Sequence, residues 1–180
     1  MAKSAKAKNA RRPSRAATTP TPKRVSPVPA GYHTATPYLT VRGAADAIEF
    51  YKKAFGAKEI MRMPAPGGAL GHAEIRIGDT QLMLSDEWPD MQALGPNKRG
   101  GATSSFVIYG PDADAAWERA VKAGAKPERP VKDEFWGDRM GTVIYPFGHK
   151  WSLGTHVRDV GPDEMRQAMQ EWAKQNTANA

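Results

Sequence analysis

His72 and Glu74 stand two residues apart in a run that alternates polar and apolar side chains, His72–Gly78 (HAEIRIG). In a strand, residues i and i+2 lie side by side on one face. An imidazole beside a carboxylate can move a proton or hold a divalent ion. Asp86 and Glu87 close the next alternating run and could complete such a site. The competing reading is a structural histidine, hydrogen-bonded in a hairpin or at a subunit interface. Arg139 follows the aromatic-glycine segment Phe135–Asp138 (FWGD). A guanidinium there could clamp a carboxylate or phosphonate through two parallel hydrogen bonds, or pair with Asp133, Asp138 or nearby backbone. His149 in PFGHKW reads as a turn-fixing residue, His156 serves the end of a strand, and His33 precedes the first strand. His72, Glu74 and Arg139 are therefore the candidates for catalysis. The chain has no cysteine, which removes thiolate metal sites, cysteine nucleophiles and disulfides. Phosphate-loop, dinucleotide and nucleophile-elbow patterns are absent, and no Ser-His-Asp spacing stands out.

These residues need elements to hold them. Thr36–Val41 (TPYLTV) is a β-rich run, and Asp46–Phe55 carries apolar residues at helical offsets with Gly56 as its stop. Lys58–Met63, Gly71–Ile77 and Thr80–Ser85 read as strands, the last two joined at Gly78-Asp79. After a loop over 86–101 the order returns. Thr103–Tyr109 is a strand, Asp112–Ala123 a helix with Asp112 as N-cap and Gly124 as stop, and Lys126–Val131, Gly141–Tyr145 and Lys150–Thr155 are strands. The repeat is about 65 residues long, two βαβββ modules in an α+β fold. Pro162–Lys174 reads as a further helix, with Met165, Ala168, Met169 and Trp172 on one stripe. That stripe suits packing on the domain or on a second subunit better than binding a cofactor.

The net charge of +7 lies in one place. Residues 1–30 hold eight of the 26 lysines and arginines and none of the 19 acids, so the rest of the chain is close to neutral. This Ala/Lys/Pro-rich tail has no aromatic residue and is expected to be disordered. It serves as a solubilising tail or a weak, salt-sensitive contact for nucleic acid or anionic surfaces, and deleting it should abolish retention on heparin. No run reaches the roughly 18 apolar residues of a membrane span, and no apolar segment follows the basic start as a secretory signal requires. A cytoplasmic location is the expectation. The domain divides as 1–30 tail, 31–160 core domain (modules about 31–87 and 102–157), and 161–180 C-terminal helix and tail.

The repeated βαβββ order, together with Ala47–Gly56 (AIEFYKKAFG), His72–Gly78, Leu82–Glu87 (LMLSDE), Asp138-Arg139, Pro146–Trp151 (PFGHKW) and Thr155–Val160 (THVRDV), resembles the vicinal-oxygen-chelate superfamily. This superfamily comprises glyoxalases, bleomycin-resistance proteins and dioxygenases, and the strings are closest to its PhnB-like glyoxalase branch. The resemblance implies curved mixed sheets around a cavity, commonly completed in a homodimer. It also implies a divalent ion held by His, Glu, His and Glu from the first, fourth, fifth and eighth strands, which polarises a substrate oxygen. Counting from landmarks puts Thr36, Met83, Ser104 and Ser152 at those four positions, and one-residue shifts bring in no better ligand. The expectation is therefore no cofactor, with a divalent metal possible only at a non-standard site drawn from His72, Glu74, Asp86 or Glu87. The resemblance also turns Tyr38, Phe106, Trp88, Trp136 and Trp151 toward the cavity or its rim. Expected ligand-binding residues are Thr36, Tyr38, Met83, Ser104, Phe106, Trp136, Arg139 and Ser152. Two functions follow: a metal-independent small-molecule binder like the bleomycin-resistance members, or a lyase, isomerase or dioxygenase of glyoxalase type with a displaced metal or none.

Overall fold

A computed structural model describes residues 25–177. Of the basic tail, residues 1–24 lie outside the described residues. The elements are β1 (Tyr38–Val41), α1 (Ala44–Phe55), β2 (Lys58–Pro64), β3 (Leu70–Ile77) and β4 (Thr80–Asp86), then a linker with the short helix α2 (Pro96–Arg99). The second half supplies β5 (Ser105–Tyr109), α3 (Ala113–Lys122), β6 (Lys126–Asp133), β7 (Asp138–Ile144) and β8 (Lys150–His156), followed by α4 (Pro162–Thr177). Each half makes one four-stranded sheet, ordered β1-β4-β3-β2 and β5-β8-β7-β6. In each, the first strand runs parallel to the fourth and the other pairs are antiparallel. The fold is thus the expected α+β pair of βαβββ modules. The two sheets remain separate, and one chain does not close them into a barrel.

Local chemistry explains the element ends. α1 starts after Gly43, which has no side chain to cap it. Asp86, at the end of β4, does that work from outside the helix: its Oδ1 accepts from the Gly43 and Ala44 N–H groups at 2.7 and 3.0 Å, and its Oδ2 accepts from Leu70 N at 2.7 Å. One carboxylate therefore satisfies a helix start and a strand start together. At the other end Gly56 adopts φ 65° and donates to Lys52 O, as a left-handed C-terminal glycine does. α3 is capped as its sequence predicts, with Asp112 accepting from Ala115 N at 2.9 Å. β1 begins two residues later than the Thr36–Val41 run. Pro37 has no N–H to give a ladder, although its carbonyl still accepts from Met83 N at 2.9 Å.

Both sheets turn one face to a single shared core. α1 buries Ala44, Ala47, Ile48, Tyr51 and Ala54 against Leu39, Val41, Ile75 and Leu84, and the same cluster includes Val143, Tyr145, Trp151 and Leu153 from the second half. Phe50 meets Tyr145 edge-on with ring centroids 4.3 Å apart, Tyr51 stacks on Tyr145 at 4.9 Å, and Phe55 meets Trp151 at 5.0 Å. Arg119 Nε on α3 donates to Ala54 O near the end of α1 at 3.0 Å, satisfying a carbonyl that a helix end leaves open. With the helix-side faces used in this way, the opposite faces are left open: Tyr38 on β1 and Tyr109 on β5 are 51% and 59% exposed. On α4, Met165 and Ala168 are half-buried, whereas Met169 and Trp172 are exposed. No helix among the described residues is long and apolar enough to cross a membrane.

Candidate functional site

On the open face of the first sheet, the register sets Tyr38, Met83 and Glu74 in one row. His72 lies on β3 two residues from Glu74, as the strand spacing predicts. Its Nε2 is 3.2 Å from Glu74 Oε1, and its Nδ1 is 3.1 Å from the Tyr38 hydroxyl. A neutral ring satisfies both contacts if Tyr38 donates to Nδ1 and Nε2–H donates to the carboxylate. The Tyr32 hydroxyl and the His72 ring hold the Glu74 carboxyl below its ordinary range. Met61 and Met63 on β2 flank Glu74 and His72 and are exposed. Asp86 and Glu87 do not join this group. Asp86 caps α1, and Glu87 pairs with Arg42 at 3.1 Å and accepts from Gly95 N at 2.9 Å. Among the described residues, no three His, Asp or Glu side chains converge as a metal ion would need.

The four positions that the resemblance implies for a chelate are distributed between the halves. Thr36 sits just ahead of β1, with its hydroxyl donating to His33 O at 3.0 Å. Met83 is central in β4. Ser104 is the residue before β5. Ser152, in β8, is buried and lies opposite Val107 of β5. By strand alternation Ser105, Val107 and Tyr109 share the open face with Ser152, while Ser104 has the parity of Phe106. Phe106 turns inward and stacks on Trp151 at 4.6 Å. The Ser152 hydroxyl is 3.1 Å from Thr142 Oγ1, which also accepts from Arg129 Nε and Nη2 at 3.3 and 3.2 Å.

Arg139 lies on the helix side of β7. Two of its nitrogens bind Asp114 of α3 at 2.6 and 2.7 Å, and Nη1 reaches Asp133 at 3.0 Å. Asp133 is one of the partners that the sequence offers Arg139. The second, Asp114, lies 25 residues back in the chain and becomes visible only when α3 packs on β7.

A polar cluster at the end of the second sheet was not legible as a unit. Asp138 is only 4% exposed, yet it accepts from Tyr109 Oη at 2.8 Å and Trp136 Nε1 at 3.0 Å and pairs with His156 Nδ1 at 2.8 Å. Burial pushes its carboxyl up, but the bonds from His156, Tyr109 and Trp136 outweigh burial, and the net direction is down. Asp138, followed by Asp159 at 3.1 Å, raises the His156 imidazole above its ordinary value. The alternation of Asp138, Met140 and Thr142 was the available signal; the pairing of Asp138 with His156 across the β7–β8 ladder was not.

Two hollows lie near the β1 and β5 edges. The larger, about 400 Å³, runs between the halves. Ile77, Leu82, Phe106, Ile108 and Trp151 line it, with Asp79, Thr80 and Tyr109 as its polar residues. The smaller, about 230 Å³, brings Tyr38 and Ser104 together with Thr40, Arg99, Thr103 and His149. Of the expected ligand-binding residues, Tyr38 and Met83 are neighbours, and Tyr38 and Ser104 share the smaller hollow. Phe106 lines the larger one. Trp136 is held by Asp138, and Ser152 and Arg139 are on opposite faces of the second sheet.

Sequence and structure comparisons agree with this architecture. An uncharacterized protein of Mycobacterium tuberculosis (strain ATCC 25618 / H37Rv) is 44% identical over 137 residues, covering 74% of this chain and 81% of its own length. The X-ray structure of an Arabidopsis thaliana gene product superposes with a TM-score of 0.56 at 27% identity, covering 68% of this chain and 98% of that one. A glyoxalase-related enzyme from Fulvimarina pelagi shares the fold, with a TM-score of 0.55 at 20% identity over 73% of this chain and 94% of its own. Residues 32–153, which hold both βαβββ modules apart from the end of β8, match the Glyoxalase/Bleomycin resistance protein/Dioxygenase superfamily, and the chain belongs to that superfamily.

Proposed function

We propose that this domain binds a small, largely apolar molecule in the cleft between its two modules, without the superfamily's usual chelated ion. The observation that carries the reading is the cleft itself. At about 400 Å³, with a stacked Phe106–Trp151 floor and a few polar residues, it has the ordinary form of a small-molecule site. The residues at the chelate-equivalent positions support the same view. Thr36, Met83, Ser104 and Ser152 offer hydroxyls and a thioether where a zinc-like ion prefers imidazole and carboxylate. The exposed Tyr38, Met61 and Met63 on one sheet, and Val107 and Tyr109 on the other, favour a homodimer in which a second copy covers the open faces. Thermal-shift screening with hydrophobic and aromatic compounds tests the binding reading. Ligands should raise the melting temperature by mass action, and Ile108→Arg in the cleft wall should cancel the rise. A screen without any stabilising compound, or hits indifferent to Ile108→Arg, would sink it. Analytical ultracentrifugation tests the dimer.

The Tyr38–His72–Glu74 chain favours a second reading, a lyase, isomerase or dioxygenase of glyoxalase type that moves a proton through His72 or holds a displaced ion there. Elemental analysis of protein purified without chelator addresses the metal form directly. Substoichiometric metal, with no activation by nickel, zinc or manganese, counts against it.

A further inference from the structure

The linker beside the smaller hollow is pinned to the β7–β8 turn. Asn97 Nδ2 donates to Pro146 O at 3.0 Å. Gly148, at φ 91°, sits so close beneath the linker that a Cβ there would meet Pro96 Cβ at 2.9 Å and Asn97 N at 3.0 Å. Glycine is required at this position both for its backbone conformation and for the approach. Arg99 on this linker lines the smaller hollow together with Thr40, Thr103, Ser104 and His149.

Two features point to a ligand. His149 is 7% exposed, and its Nδ1 is buried with no partner while the ring forms part of the wall. Native proteins seldom leave such an atom without a protein, water or ligand partner. Arg99 gives one Nη2 bond to Gln92 O at 2.7 Å, which orients the guanidinium and leaves its other N–H groups over. Among the described residues Arg99 makes no ion pair, and no carboxylate lines the hollow. One cation, an imidazole and three hydroxyl-bearing residues with no lining acid suit an anion better than a cation. A cation would find no carboxylate there, and a purely apolar ligand would strand the polar wall.

We propose that this hollow is a binding site for a small oxyanion, a carboxylate or a phosphate group, held by Arg99 and the Thr103 and Ser104 hydroxyls against His149. The site is separate from the apolar cleft and stands whether or not the cleft binds anything.

NMR of the full-length protein, observing the His149 ring, tests the proposal in parallel titrations with inorganic phosphate and with acetate. A saturable shift of the His149 signals is expected. Response to phosphate alone identifies a phosphate site, response to acetate alone a carboxylate site, and response to both a general oxyanion site. Arg99→Gln should weaken binding by about tenfold or more, as loss of a charge-assisted bond does. Thr103→Val should weaken it less. Arg76→Gln, the same charge change on β3 away from the hollow, should leave the affinity unchanged. No saturable shift with either anion, or an Arg99→Gln protein that binds as tightly as wild type, overturns the proposal.

Discussion

In the first half of the molecule, β3 leaves His72 and Glu74 part-exposed on the open face, joined to Tyr38 and flanked by Met61, Met63 and Met83. In the second half, β7 places Asp138 on the corresponding face and closes it under Tyr109, Trp136 and His156. The backbone repeat is the same, but the polar groups are used differently. Asp138 is nearly excluded from water and has a donor for each of its roles, so its work is structural. Glu74 and His72 remain within reach of solvent, so a ligand or a second subunit can still engage them. The inward positions differ too. The register makes Leu82 and Trp151 equivalent, one residue before Met83 and Ser152. Trp151 spans the space between the halves and touches rings from both.

The largest expected effect tests that inward difference. Trp151→Ala should cost about 3–5 kcal/mol, read by urea unfolding, and more than Leu82→Ala at the equivalent position. Equal losses would mean that the halves do not lean on the indole. Next is the outward contrast. Asp138→Asn should cost about 1–3 kcal/mol because a buried set of donors loses its charged acceptor, whereas Glu74→Gln should cost less than about 1 kcal/mol. The two must also differ in pH dependence. The lowered carboxyl of Asp138 contributes stability above its ordinary value, and that contribution is lost as acid protonates it. The raised imidazole of His156 contributes fully below its ordinary value, and that contribution is lost as pH rises through the folded value. The deficit of Asp138→Asn should therefore be largest between about pH 4 and 6.5 and shrink on either side. A flat deficit would separate Asp138 from His156.

Ser152→Ala should cost about 1 kcal/mol by removing the buried partner of Thr142. The smallest effect belongs to Arg139→Gln. Its pairs with Asp114 and Asp133 are open to solvent, and screened pairs of that kind add little. Its thermal midpoint should stay near that of the wild type.

Alternation and helical offsets located every strand and every long helix to within a few residues, because burial of one face imposes the period directly. The linker helix α2 was missed because four residues carry no period. The pair His72–Glu74 was legible because both lie on one strand. The Asp138–His156 pair was not, being 18 residues apart and brought together by the β7–β8 ladder. Ser104 precedes β5, which begins later than its β-rich run, so strand alternation does not tie it to the face that Ser152 shares.

The sequence by itself determined the two βαβββ modules, their superfamily resemblance, and a near-neutral remainder behind a basic first 30 residues. These are properties of local period and composition. Only the tertiary structure decided that Asp86 caps α1, that Arg139 pairs with α3, that Asp138 is buried under three donors, and that Gly148 packs against the linker that carries Arg99. Each depends on segments far apart in the chain, and the distance between them is set by packing of the shared core rather than by any local preference.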